Sequence, residues 1–397
     1  MEYSHLISQL EESSTLALAK RVRELKASGR NVIGLTLGEP DFDTPLHIRE
    51  AAKKALDDGH THYPPVAGIQ ELREALSDKF QRDNGVQYKP SQILVTTGGK
   101  QALYNAILSV VNPGDHVVLP APFWVSVQAM LFLAQANVTQ VNTGIESGFK
   151  VTASQVEAAL RPETKLILFN SPSNPSGGVY TREELDAIAA VLERFPNCLI
   201  ISDEIYEHLV YEGEHISLAS YPALYDRVIT VNGFAKGFAM TGWRLGFLAA
   251  KPEIVDLCEK LQGQITSGTN TFAMYGAVAA LRGPMTPTLE MKEEFRKRRD
   301  LLYPLLQAIP GLKVNLPPGA FYFYPDVSAF LGKKSPKGEV IADVDALSMY
   351  LIDEVGLAVI PGTGFGTTDH IRLSYAYAEP ILLDAAARLR EGLARLS

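Results

Sequence analysis

The feature that most constrains the fold of this chain is an alternation of helical and strand patterns between about residues 46 and 280. Apolar residues at helical spacing predict helices at 46–58, 68–84, 99–111, 123–134, 153–160 and 181–194. Short apolar runs predict strands at 92–97, 116–119, 165–170, 199–203, 227–232 and 246–250. Strands that are apolar on both faces and separated by helices indicate a mostly parallel sheet with helices on both sides. The sequence therefore predicts an α/β fold.

The chain on either side of this alternation follows other patterns. Ahead of it, we predict a helix at 12–30 and a strand at 31–37. Behind it, a long charged helix at about 290–303 is expected to end before Pro304. Three later apolar runs suggest an antiparallel or mixed sheet with flanking helices; they lie at 321–324, 357–360 and 370–375.

These patterns predict three parts. Residues 46–290 form a large domain around the parallel sheet, and residues 291–397 form a smaller α+β domain. Residues 1–45 are an N-terminal segment that we expect to pack with the small domain.

Composition narrows the classes of protein that this chain can belong to. The 37 basic and 45 acidic residues give a net charge of −8, which argues against a nucleic-acid partner because phosphate neutralisation needs a basic surface. Two cysteines cannot form a disulfide framework, and no apolar run approaches the ~20 residues of a membrane span. His60 and His62 have no nearby cluster of ligands, so we expect no metal. The sequence predicts a soluble, cytoplasmic protein.

The junction between the strand at 92–97 and the helix at 99–111 is the first candidate site. Gly98 and Gly99 precede Lys100 there, so backbone N–H groups can approach an anion at the start of the helix. A tight connection between strand and helix explains the same glycines without a ligand.

An acid follows the apolar strand that ends near residue 203. Asp203 lies at the carboxyl end of this strand, where open α/β sheets bind ligands. The alternative is an ordinary helix N-cap provided by Asp203 or Ser202.

A lysine in an apolar loop is the third candidate. Lys236 stands among small, aromatic and apolar residues, and the next charge along the chain is Arg244. Partial desolvation would lower the pKa of this lysine and make a free amine available. The alternative, a solvated loop lysine, is harder to reconcile with these neighbours.

A turn rich in proline follows the strand at 165–170. Pro172 and Pro175 can lock an unusual backbone, including a cis one, and so aim the side chain of Asn174. Its composition is equally typical of a plain loop.

These four features and Arg372 together resemble the class I aminotransferases, which are pyridoxal-phosphate enzymes of fold type I. The resemblance begins at 37–42 and ends at 371–375, so it covers nearly the whole chain. Its motifs at 174–175, 203–206 and 236–244 occur in the order and spacing of the family. Within the class, the chain is most similar to bacterial aspartate aminotransferases of the group that often also accepts prephenate. The resemblance implies pyridoxal 5'-phosphate as cofactor and a seven-stranded type of sheet in the large domain.

The resemblance also implies roles for the residues that face the cofactor. Lys236 would bind it covalently and act as the base that moves the α-proton of the substrate. Asp203 would keep the pyridinium nitrogen protonated, and Tyr206 with Asn174 would hydrogen-bond the phenolate oxygen. Trp124 matches an aromatic residue that stacks on the ring, and the alternative is plain core packing.

The phosphate of the cofactor would be held by the N–H groups of Gly99 and Lys100 and by Arg244. Tyr63 matches a tyrosine that reaches the phosphate of the neighbouring subunit, which implies a homodimer with shared active sites. Many relatives have a serine directly before the catalytic lysine. Here Ala235 stands there, and Gly233 offers no hydroxyl either, so one or two phosphate contacts are missing or made by backbone.

Substrate recognition is implied at a further set of positions. Arg372 matches the arginine that binds the α-carboxylate of amino and 2-oxo acids, and Lys100 the lysine that binds a distal carboxylate. A lysine that merely points to water is the alternative for Lys100. The other predicted substrate-binding residues are Gly38, Trp124, Asn174, Ser13 and Thr15.

The resemblance implies transamination of L-aspartate with 2-oxoglutarate by a ping-pong mechanism, with prephenate as a possible further substrate. An aromatic- or alanine-type aminotransferase, or a β-lyase on the same scaffold, is the alternative.

Overall fold

A computed structural model describes residues 3–10 and 14–397 of the chain. Its strands are β1 (Ile33–Gly34), β2 (Ile93–Thr96), β3 (His116–Ala121), β4 (Asn137–Asn142), β5 (Thr164–Asn170), β6 (Leu199–Asp203), β7 (Val228–Gly233), β8 (Gly246–Ala249), β9 (Tyr322–Phe323), β10 (Leu357–Ala358), β11 (Ile360–Pro361) and β12 (Ile371–Ser374). Its α-helices are α1 (His5–Ser8), α2 (Ser14–Ala27), α3 (Leu46–Asp57), α4 (Gln70–Lys79), α5 (Gly99–Val110), α6 (Val125–Leu133), α7 (Ala153–Ala159), α8 (Arg182–Glu193), α9 (Pro252–Ile265), α10 (Thr271–Arg282), α11 (Thr286–Gln307), α12 (Val344–Glu354) and α13 (Glu379–Ala394).

A seven-stranded sheet forms the centre of the structure, with the order β2-β8-β7-β6-β5-β3-β4. Strands β4, β3, β5, β6 and β7 pair in parallel, and β8 runs antiparallel to both of its neighbours. Successive strand residues belong to different hydrophobic cores. Ile200 lies in the core shared with α3, α4, α7, α8 and α10, and Ile201 lies in the core shared with α5, α6 and α9. The predicted α/β class and mostly parallel sheet are therefore confirmed.

One strand of this sheet escaped the sequence analysis. Strand β4 is the edge strand beside β3; four of its six residues are polar, and all six are exposed or half-buried. An apolar run is the signal of a strand that is buried on both faces, so an exposed edge strand lacks it.

The predicted end of the long charged helix is wrong. Helix α11 begins at Thr286 and continues past Pro304 to Gln307. A proline inside a helix removes one backbone hydrogen bond and crowds the carbonyl four residues earlier, but packing of the neighbouring residues can offset this cost. Leu302 and Leu306 are buried on either side of it, and their packing holds the last turn in place.

The C-terminal part forms a second core with short strands. Strand β12 pairs antiparallel with β9 and β11, and the predicted run at 357–360 is divided between β10 and β11. Of the predicted strand at 31–37, only β1 is paired, in parallel with β10. Val22 and Leu25 of α2 pack beside Ile352. The N-terminal segment thus contacts the C-terminal part, and the domain limits at 45 and 290 stay predictions.

The parallel strands bring chemically useful residues to one edge of the sheet. Asn170 ends β5, Asp203 ends β6 and Gly233 ends β7, and these strands are adjacent. Ligands bind at this carboxyl edge in open α/β sheets. Among the helices of the described segments, none has the length and apolar character that crossing a membrane would require.

Candidate active site

A cleft of about 290 Å³ opens at the carboxyl edge of the sheet. The predicted site residues that line it are Gly38, Gly99, Lys100, Trp124, Asn174, Asp203, Tyr206, Lys236, Arg244 and Arg372. They come from strand ends of the large sheet, from the N-terminal segment and from β12. The structure thus brings together residues that lie far apart in the sequence.

Lys236 lies in the loop that follows β7. Its Nζ donates a hydrogen bond to the carbonyl oxygen of Gly38 and lies 5.9 Å from the ring centroid of Tyr206. Burial lowers the pKa of Lys236 to about 8, although the carboxylate of Glu39 opposes this shift. A larger fraction of the amine is therefore unprotonated near neutral pH than for a solvated lysine, as a nucleophile or base requires.

Asp203 is buried at the end of β6. Its Oδ1 accepts a hydrogen bond from the backbone N–H of Ile205 at 3.2 Å, in a turn rather than at the start of an α-helix. Burial raises the pKa of Asp203 to about 7, and the bond from Ile205 only partly offsets this effect. A cation placed against this carboxyl would favour its ionised form, and a protonated ring nitrogen is such a cation.

Arg372 is a buried cation held by neutral groups. Its Nη1 donates to Oδ1 of Asn174 at 2.9 Å, and its Nη2 donates to the carbonyl oxygen of Thr36 at 2.7 Å. Within residues 3–10 and 14–397, no carboxylate lies within ion-pair distance of it, and its Nε has no hydrogen-bond partner. A buried guanidinium without a carboxylate is suited to bind an anionic ligand.

Asn174 is aimed by the turn that follows β5. Its backbone N–H donates to the side-chain oxygen of Asn170 at 2.7 Å, and the peptide bonds before Pro172 and Pro175 are both cis. The side chain of Asn174 contacts Arg372 at the wall of the cleft.

The start of α5 forms an anion cradle with Arg244. A Cβ at Gly98 would lie 2.6 Å from Nη2 of Arg244, and a Cβ at Gly246 would lie 2.3 Å from the backbone nitrogen of Gly99. The two glycines therefore allow close approach of backbone and guanidinium. Gly233 has no side chain for a similar reason, since its Cβ would meet the backbone of Gly246 at 3.0 Å. N–H groups at a helix start beside an arginine suit a phosphate.

Lys100 and Trp124 lie side by side at the mouth of the cleft. The Nζ of Lys100 is 5.0 Å from the ring centroid of Trp124. Although Lys100 is an exposed residue, partial burial of its ammonium lowers its pKa, and the charge of Arg244 acts in the same direction. Trp124 lines the cleft, is half-buried and packs against the core, and its stacking on the cofactor ring stays a prediction.

Three predicted residues lie elsewhere. Tyr63 is 92% exposed and does not line the cleft of its own chain. Ser13 lies outside the described residues. Thr15 falls within α2, but its side chain is not described.

Comparison with known proteins identifies the family. The family model described as aminotransferase class I and II matches residues 30–389. The chain belongs to this family.

Individual relatives of this aminotransferase cover almost its entire length. It is 46% identical to the aspartate/prephenate aminotransferase of Cereibacter sphaeroides over 396 residues, which are 99% of each protein. The crystal structure of the aspartate aminotransferase from Rhizobium meliloti has a TM-score of 0.96 and 38% identity, covering 100% of both chains. The aspartate aminotransferase from Thermus thermophilus with maleate has a TM-score of 0.93 and 40% identity, covering 99% of this chain and 100% of that one.

The predicted family, aminotransferase activity and cofactor are therefore confirmed, because the enzymes of this family depend on pyridoxal phosphate. The residues of this aminotransferase fit that group. The glycine cradle beside Arg244 suits the phosphate, and buried Asp203 suits a ring nitrogen. Lys236 supplies an amine of lowered pKa. The individual roles of these residues stay predictions.

Tyr322 is one of the residues lining the cleft of this aminotransferase that the sequence did not reveal. Tyr322 is fully buried, and its hydroxyl lies 2.8 Å from the hydroxyl of Tyr206. The apolar run at 321–324 predicted only a strand, since nothing in it shows which side chain faces another part of the fold.

Proposed function

We propose that this aminotransferase transfers the amino group of L-aspartate to 2-oxoglutarate by a ping-pong mechanism, and that prephenate is a further oxo-acid substrate. The observation that carries this proposal is that one cleft contains the amine of Lys236 and, besides the proposed phosphate ligand Arg244, two cations, Arg372 and Lys100. Two cations suit the two carboxylates of aspartate, 2-oxoglutarate and prephenate.

The cofactor would be held by residues of several elements. The N–H groups of Gly99 and Lys100 with Arg244 would bind its phosphate, and Asp203 its ring nitrogen. Tyr206 and Asn174 would hydrogen-bond its phenolate oxygen, and Trp124 would cover its ring. When bound, pyridoxal phosphate supplies an electron sink for negative charge at the α-carbon of the substrate.

The chain itself would orient the substrate and move its proton. Arg372 would bind the α-carboxylate with its planar fork, which Asn174 and the carbonyl of Thr36 fix in place. The amine of Lys236 would carry the α-proton. Its pKa of about 8 lies close to neutral pH, where a general base works best.

Lys100 favours a dicarboxylate over an aromatic or alanine-type substrate. Its ammonium lies over the face of Trp124 at the mouth of the same cleft as Arg372. An aromatic or methyl side chain would leave this cation without a partner. Maleate, with which the Thermus thermophilus relative was solved, is a four-carbon dicarboxylate, and this fits the same preference.

We further propose a homodimer with shared active sites, located in the cytoplasm. Tyr63 is a large, almost fully exposed side chain that suits a contact with the phosphate site of a partner subunit. Cys198 and Cys258 are buried free thiols, which fits a reducing compartment.

The visible spectrum of the purified holoenzyme tests this function. L-Aspartate without an oxo acid should convert the absorption band of the bound cofactor, and 2-oxoglutarate should restore it. Lys236→Ala should lose this interconversion, while Lys334→Ala, which changes an exposed lysine, should retain it. A band that ignores aspartate but responds to phenylalanine or alanine would overturn the substrate assignment.

A further inference from the structure

Tyr322 connects two parts of the cleft that have separate predicted roles. Its side chain is fully buried on β9, and its hydroxyl lies 2.8 Å from the hydroxyl of Tyr206 on the cofactor side. Its ring centroid lies 4.6 Å from the guanidinium carbon of Arg372 on the substrate side. One side chain thus contacts both a cofactor-binding and a substrate-binding residue.

The N-terminal segment is shaped around the hydroxyl of Tyr322. A Cβ at Gly38 would lie 2.4 Å from this oxygen, so only glycine leaves room for it. The carbonyl oxygen of Gly38 accepts a hydrogen bond from Lys236. The hydroxyl of Tyr322 is therefore packed between Tyr206 and the segment that contacts the amine of Lys236.

The hydroxyls of Tyr206 and Tyr322 together carry two hydrogen-bond donors. Burial raises the pKa of both Tyr206 and Tyr322, so both phenols keep their protons near neutral pH. The bond between two phenols uses only one of the two O–H donors. If Tyr322 donates to Tyr206, then the O–H of Tyr206 is free to donate to a third group in the cleft. A hydrogen bond accepted by the oxygen of Tyr206 also strengthens the hydrogen bond that the Tyr206 hydroxyl donates to the third group.

We propose that Tyr322 is a positioning residue of this aminotransferase: its hydroxyl donates to Tyr206 and directs the Tyr206 proton to the cofactor, and its ring supports the guanidinium of Arg372. The proposal deepens the proposed function and rests on it for the roles of Tyr206 and Arg372. The hydroxyl and the ring act on different partners, so two substitutions separate them.

Tyr322→Phe tests the hydroxyl. The pH titration of the cofactor's visible band, without any amino acid, reports how well the phenolate oxygen is stabilised. Losing one hydrogen bond to Tyr206 should raise the titration midpoint by about half a pH unit to one pH unit. The Kd of maleate should stay within about twofold, because the ring remains beneath Arg372. An unchanged midpoint would overturn the role of the hydroxyl.

Tyr322→Leu tests the ring. It should produce the same change of midpoint. It should also weaken maleate by about 3- to 30-fold, since the nearer of the two aromatic rings beside the guanidinium is lost and only that of Phe365, at 5.1 Å, remains. Maleate affinity equal to that of Tyr322→Phe would overturn the role of the ring.

Two controls distinguish positioning from general damage. Tyr324→Phe removes another fully buried hydroxyl, bonded to Thr367 at 2.6 Å, and should leave the midpoint unchanged. In a Tyr206→Phe background, Tyr322→Phe should have no further effect on the midpoint. An equal rise in Tyr324→Phe, or an undiminished effect without the Tyr206 hydroxyl, would refute the proposal. Because the titration contains no substrate, inertness toward aspartate would count against the proposed function alone.

Discussion

Replacing Lys100 by methionine should impair the use of aspartate much more than the use of phenylalanine. Methionine keeps most of the side-chain stem over Trp124 but removes the ammonium that lies 5.0 Å from the ring centroid. The backbone N–H of Lys100, which is the predicted phosphate contact, remains in place. The substitution therefore isolates the proposed contact with the distal carboxylate.

The size of this effect follows from the setting of the ammonium. A hydrogen bond between charged groups contributes about 1.5–3 kcal/mol, which corresponds to about 10- to 150-fold in kcat/KM. Lys100 remains an exposed residue, so solvent screens part of this interaction and the lower end applies. We expect kcat/KM for aspartate to fall by about 10- to 30-fold, mainly through KM.

The assay compares steady-state transamination of aspartate and of phenylalanine with 2-oxoglutarate held at saturation. Phenylalanine has no distal carboxylate, so its kcat/KM should change by less than about threefold. Lys100→Arg keeps a cation and should recover part of the aspartate activity. Equal losses for both amino acids would refute the reasoning, because they would indicate damage to the shared cofactor site.

Three further substitutions test the protonation of Asp203, a buried ion pair and the phosphate cradle at the start of α5. In the cofactor-free protein, burial raises the pKa of Asp203 to about 7, so the free energy of unfolding should decrease as pH rises from about 4 to 7, by up to about 4 kcal/mol. Asp203→Asn should remove this contribution in urea unfolding across that range, and identical pH profiles would contradict it. Lys79 and Glu207 form a buried ion pair at 2.5 Å, so Lys79→Met should lower the free energy of unfolding by about 3–5 kcal/mol. The double variant with Glu207→Leu should regain most of this stability. A further loss of stability in the double variant would argue against the pair. Gly246→Ala should displace the start of α5 and weaken the retention of pyridoxal phosphate on dialysis. Gly263→Ala is the control, because a Cβ at this position would have 4.0 Å of clearance and should leave retention unchanged. Equal retention by both variants would count against the proposed phosphate cradle at the start of α5.

Local sequence patterns were sufficient to predict those site residues whose position or pKa depends on their neighbours along the chain. Asp203 and Asn170 could be placed because adjacent parallel strands end at the same edge of a sheet. The lowered pKa of Lys236 could be anticipated because its neighbours along the chain are apolar. In both cases the decisive information lies within a few residues of the side chain concerned.

Contacts between distant parts of the chain could not be predicted in this way. The pairing of Tyr206 with Tyr322 depends on how β9 packs against the large sheet, and neither residue carries a local signal for the other. The same holds for Lys79 and Glu207, because an amphipathic helix pattern does not show which charge will be buried. The edge strand β4 was missed because none of its residues is fully buried and the strand therefore lacks an apolar run.

The pairing of β1 with β10 has a consequence for the order in which the enzyme matures during synthesis. Ile33 pairs with Leu357, and the carbonyl of Thr36 accepts a hydrogen bond from Arg372. The ribosome releases the N-terminal segment first, but its partners emerge only after the whole seven-stranded sheet has been made. All the residues proposed to bind the cofactor, up to Arg244, are therefore translated before Arg372, which is proposed to bind the carboxylate. Such non-local pairing slows folding, and it leaves completion of substrate recognition to the last part of the chain to be translated.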